Sequence, residues 1–92
     1  MFLESVAKVL DLPRDVVFDL PRLVLWGDRE LLVENHKGLL AFDSCRVVVG
    51  SSCGALEIKG ERLCLKRILV YELVVVGNIE RISYLKTGGE GC

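Results

Sequence analysis

ALEIKGERLCLK, residues 55–66, alternates apolar and polar side chains on both sides of Gly60. A period of two is that of a β-strand, in which successive side chains point to opposite faces. Leu56 and Ile58 face one way and Glu57 and Lys59 the other, so this segment is predicted to have one face in water. Glycine supplies a positive φ without steric cost, and the acidic residue after it suits a turn. KGER at 59–62 therefore reads as a tight reversal between two antiparallel strands.

The same pattern recurs in both directions from this stretch. WGDRE (26–30) and VGNIE (76–80) also set a glycine between apolar runs. Strands are predicted at 22–26, 30–35, 38–42, 45–49, 55–59, 62–66, 70–76 and 79–84. The links are too short for the crossovers that parallel strands require. RVVV (46–49) and LVVV (73–76) do not alternate and so are expected to be covered on both faces. The expected fold is all-β, a small antiparallel β-sandwich of short strands joined by glycine turns. The echo among LVLWGDRELLV, LEIKGERLCL and LVVVGNIERIS leaves a short β-solenoid as the alternative.

The ends read differently. Leu3, Val6, Ala7 and Leu10 recur at helical spacing, which predicts a short amphipathic helix over 1–11, closed by Pro13. RDVVFDL (14–20), between two prolines, reads as an edge strand. Residues 86–92, with GGEGC at their end, are expected to be a flexible tail. The organisation is thus an N-terminal helix at 1–11, one β domain at 12–85 and a glycine-rich tail at 86–92.

Ninety-two residues suffice for one domain, and a hydrophobic content of 51% can fill its core. Twelve basic residues oppose thirteen acidic ones with no basic stripe, so a nucleic-acid footprint is not expected. No apolar run approaches the roughly 18 residues of a membrane span, and MFLESVAKVL lacks the layout of a signal peptide. The expected location is intracellular. Cys45, Cys53, Cys64 and Cys92 lack metal-knuckle spacing and are expected to be free thiols. Cys64, between two leucines, is expected to be buried, and Cys92 exposed. No metal or cofactor is expected.

The single histidine lies in VENHKGLLAF (33–42). Glu34, Asn35, His36, Lys37 and Gly38 sit between two predicted strands and read as a hairpin corner. Chemistry at His36 would need a nucleophile or substrate proton in reach and a group to orient the ring, and no such motif is present. A small ligand-binding or enzymatic β domain that uses His36 with Glu34 and a nearby thiol remains the alternative.

Four segments together resemble the YabP/YqfC family of sporulation proteins of spore-forming Firmicutes. LPRDVVFDLPRLVLWGDREL is similar to its opening, and VENHKGLLAF to its most recognisable segment, Glu-Asn-His-Lys-Gly before an apolar strand. GALEIKGERLCLKRI resembles its alternating run around a glycine, and ELVVVGNIERISYL its closing Gly-x-Ile-x-x-Ile-x-Tyr. The resemblance covers residues 12–85 and looks most like the YqfC branch. It implies an all-β fold, a part in endospore formation and no catalytic residues. It also implies a protein partner, a membrane-anchored sporulation protein of the YqfD type being the candidate, and a place in the cytoplasm of the sporulating cell, at a membrane through that partner. For a domain that works by contact, the segment around Val16–Phe18 and the strand Ile79–Tyr84 are the expected edges. Trp26 and Tyr84 are the expected interface anchors.

Overall fold

A computed structural model of the chain describes residues 19–85. It is all-β: β1 (Arg22–Trp26), β2 (Glu30–Glu34), β3 (Leu39–Asp43), β4 (Arg46–Val49), β5 (Ala55–Ile68) and β6 (Glu72–Leu85). The strands form one hydrogen-bonded sheet in the order β1-β2-β6-β5-β4-β3, antiparallel at every pairing. Antiparallel pairing throughout is not the coil of a β-solenoid. The predicted helix at 1–11, the edge at Val16–Phe18, the tail at 86–92 and Cys92 lie outside the described residues.

β5 and β6 are long, and each serves two layers. β2 pairs only with the first part of β6, Glu72 to Val76. β4 pairs only with the first part of β5, Leu56 to Lys59. Because β5 and β6 run antiparallel, the start of each lies beside the end of the other. One layer is therefore β1, β2, the start of β6 and the end of β5; the other is β3, β4, the start of β5 and the end of β6. Leu31, Val33, Leu73 and Val75 from the first meet Val47, Val49, Leu56 and Ile58 from the second in a single buried cluster. Each is at most 1% exposed, which two facing layers can provide and one flat sheet cannot. The sandwich is one sheet folded onto itself.

The fold lies where glycine turns were expected. WGDRE is a hairpin corner: Trp26 pairs with Glu30, and the Arg29 N–H donates to the Trp26 carbonyl at 3.1 Å. KGER and VGNIE are not corners. Gly60 and Gly77 lie inside β5 and β6, where the pairing register slips between Lys59 and Gly60 and again between Glu61 and Cys64. Such bulges bend a strand and increase its twist. The eight predicted strands thus become six, since 55–59 joins 62–66 and 70–76 joins 79–84. Glycine is needed here for close backbone approach. A Cβ at Gly60 would overlap the Asn78 carbonyl oxygen, and one at Gly77 (φ +140°) would lie 2.6 Å from the Arg62 carbonyl oxygen.

The two short hairpins cap these bends. Gly77 and Ile79 donate backbone N–H groups to the carbonyls of Arg29 and Asp28, at 3.0 and 2.8 Å. Gly60 and Leu63 donate to Cys45 and Ser44, at 3.0 and 2.8 Å. RVVV and LVVV are buried on both faces, as their lack of alternation predicts. Two expectations for ALEIKGERLCLK change. Glu57 is buried rather than wet, its carboxylate held by Arg46 Nε at 2.5 Å. Cys64 is exposed, because Leu63 and Leu65 take the inner positions beside it.

Candidate functional site

The segment Glu34-Asn35-His36-Lys37-Gly38 is not a hairpin corner. β2 and β3 lie in different layers and do not pair, so the segment carries the chain from one layer to the other. It reaches in three directions. Asn35 adopts φ +64°, a conformation that Asn tolerates. Its side-chain amide donates to Asp19 Oδ1 at 3.0 Å and to the Leu20 carbonyl at 3.1 Å. Lys37 N–H donates to the Gly50 carbonyl and Gly50 N–H to the Gly38 carbonyl, both at 2.8 Å, which ties the segment to β4. Glu34 pairs with Arg22 at 2.9 Å, and Lys37 Nζ lies 3.3 Å from Asp19. Hydrogen bonding from Asn35, then from Lys37, holds the Asp19 carboxyl below its ordinary pKa.

His36 is 5% exposed. Its Nδ1 accepts the Gly38 N–H at 2.9 Å, so Nδ1 carries the lone pair and Nε2 the proton. Nε2–H then donates to the Leu69 carbonyl, also at 2.9 Å. Both ring nitrogens are engaged with backbone. Among the described residues, no three side chains of metal-binding type come together.

The third direction is the connection between β5 and β6. The Asn35 N–H donates to the Tyr71 carbonyl at 2.7 Å, beside the His36–Leu69 bond. Leu69 and Glu72 exchange backbone bonds of 2.7 and 3.4 Å, leaving Val70 and Tyr71 as a two-residue hairpin loop. Such loops ordinarily carry Gly, Asn or Asp. Here Ile68, Leu69, Val70 and Tyr71 are 52, 51, 77 and 72% exposed. A β-branched residue at the apex of a tight turn favours neither the turn nor solubility, and Arg67–Glu72 pairing with the Asn35 and His36 bonds holds it in place. No glycine or proline marks this turn, so 70–76 reads as strand. The legible signal is the unbroken apolar run ILVY, which a turn at that position leaves in water.

Trp26 and Tyr84 are separated. Trp26, 53% exposed, stands opposite Glu30 on the outer face of its layer. Tyr84 stands opposite Leu56, on the inner face, where burial and then a hydrogen bond with Cys53 push its hydroxyl pKa up. Beyond Ile79 the outer edge of β6 pairs with no strand among the described residues, so Glu80–Leu85 is an edge, as expected.

The family model of the YabP family matches residues 19–91. The chain belongs to the YabP family. It is 33% identical over 82 residues to the uncharacterized protein YqfC of Bacillus subtilis (strain 168), a match spanning 89% of this chain and 88% of that protein. In this YabP-family chain, the Glu-Asn-His-Lys-Gly motif joins the two layers and fixes an apolar hairpin tip. His36 is buried, and Glu34, Asn35 and Lys37 are engaged with Arg22, Asp19 and Leu20.

Proposed function

We propose that this YabP-family chain is a non-enzymatic protein of endospore formation that works by protein–protein contact. One observation carries the reading: the motif's polar groups are engaged within the chain, and two of its backbone-directed bonds hold Ile68–Tyr71 out in water. Rigid presentation of apolar side chains lowers the ordering cost of binding, and aromatic residues in such a patch supply anchors. The partner we favour is a membrane-anchored sporulation protein of the YqfD type, with this chain on the cytoplasmic side in the sporulating cell.

The test is a count of heat-resistant spores from a deletion strain complemented with the native chain or with Val70→Asp. Val70 is 77% exposed, so its substitution leaves the core intact. The native chain is expected to restore spore formation and Val70→Asp to fail at equal protein level. Full complementation by Val70→Asp, or a deletion that sporulates normally, defeats the reading. His36→Ala does not serve here, because a buried ring with two backbone bonds affects folding as well as any chemistry.

A further inference from the structure

The two layers carry their charges differently. In the first, Arg22, Lys66 and Arg67 are paired with Glu34, Glu30 and Glu72 of other strands. In the second, Arg46 of β4 stands directly opposite Lys59 of β5, and Lys59 directly opposite Arg81 of β6. Residues in such register share a face. Here it is the outer one, because their neighbours Val47 and Ile58 belong to the core and Ile82 packs against it. All three cations are exposed. Like charges directly opposite each other repel and cost stability. The carboxylates on this face are Asp43 and Glu57. Asp43, opposite Arg46, accepts the Cys45 N–H at 2.7 Å. Glu57, two residues before Lys59 on β5, is buried and held by Arg46. Among the described residues, no carboxylate forms an ion pair with Lys59 or Arg81. The surplus positive charge therefore sits at these two.

We infer that Lys59 and Arg81 form a binding site for a phosphate-monoester group on the outer face of the second layer. The inference is independent of the reading of the tip. Adjacent strands lie about 4.8 Å apart, so the two side chains rise close enough to close on one phosphoryl group. A phosphate monoester carries a charge of about −1.5 to −2 near neutral pH, which matches the two unpaired cations; a single carboxylate does not. The guanidinium offers its planar fork to phosphate oxygens and the ammonium a mobile point charge. Ser83, half-buried and two residues beyond Arg81 on the same face, adds a hydroxyl donor. An anion bound here also offsets the repulsion along the row, so the row itself favours the occupied state. The shared chemistry is the phosphate monoester, carried by a soluble compound or by a lipid headgroup.

Chemical-shift titration of the purified full chain with inorganic phosphate and with glycerol 3-phosphate tests the site. Saturable shifts are expected at the amides of 46, 57–59 and 81–83. Lys59→Gln and Arg81→Gln are each expected to weaken binding about tenfold, the loss of one charge-assisted hydrogen bond. Arg62→Gln, at an exposed position on the bend of β5, is expected to bind as the native chain does. Thermal melts confirm that each variant is folded. Co-sedimentation separates the sources, using phosphatidylcholine vesicles that contain phosphatidic acid, whose headgroup is a monoester, or phosphatidylserine at equal surface charge. Capture by the phosphatidic acid vesicles alone, lost in Lys59→Gln, assigns the monoester to a lipid. Saturable binding of glycerol 3-phosphate without capture by either vesicle assigns it to a soluble compound. Equal capture by both vesicles, an equal loss in Arg62→Gln, or shifts that neither saturate nor depend on Lys59 and Arg81 would overturn the inference.

Discussion

His36 is a short tether between two backbones. Its ring closes a local loop through the Gly38 N–H and reaches across to the Leu69 carbonyl. His36→Ala would leave the Gly38 N–H without this partner and the Leu69 carbonyl with only its long bond from the Glu72 N–H, which costs roughly 1–3 kcal/mol. A drop of that size in unfolding free energy is expected from urea titration, with faster amide exchange at 69–72 even where the domain stays folded. The Arg46–Glu57 pair is the corresponding feature of the second layer. The guanidinium beside Glu57 holds its carboxyl below the ordinary value of 4.5, against the opposing effect of burial. A carboxyl depressed in the folded state contributes stability that is complete above its unfolded pKa and is lost as pH falls through the folded one. Glu57→Gln should therefore have a lower urea midpoint than the native chain at pH 7. The gap should close as pH falls below about 4.5. Taking the difference between the two proteins at each pH cancels the contribution of Asp19, which has the same sign.

At the level of the element, glycine divides into two roles that composition alone does not separate. Gly27 sits in a true corner at φ +56° with open space where a Cβ would go. Gly60 and Gly77 sit where β5 and β6 pass each other too closely for a side chain. Gly27→Ala should cost about 1 kcal/mol, the strain of an L-residue in the left-handed region. Gly60→Ala and Gly77→Ala should each cost roughly 4 kcal/mol or more, since backbone must move to admit the methyl group. Thermal denaturation of the three variants measures the difference. The residues state the strands clearly: 22–26 is predicted to the residue, and 30–34, 39–43 and 46–49 to within one. They do not state which glycine turns the chain and which bends it, because both follow an apolar run and precede an acid or amide. The distinction lies in a partner strand distant in sequence. The Val70–Tyr71 turn is hidden for the opposite reason, since bonds from Asn35 and His36 impose it on residues that do not favour it.

Across the whole molecule, the two layers are built alike: a short hairpin, then one long strand bent over the hairpin's turn. β1–β2 caps the bend of β6 through Asp28 and Arg29, and β3–β4 caps the bend of β5 through Ser44 and Cys45. Both layers empty their inner faces into one cluster, so neither retains a core if they part. Global unfolding should then be a single transition, with local opening confined to the rims. The rims are β1, β3, the end of β5 (Cys64–Ile68) and Glu80–Leu85, each with one edge that pairs with no strand among the described residues. Hydrogen exchange followed by mass spectrometry should find the slowest amides at 47–49, 56–58 and 73–75, all exchanging near the global unfolding free energy. Those of 22–26, 39–43 and 80–85 should exchange sooner. Exchange in which one layer loses protection while the other keeps it would show that the layers hold separate cores.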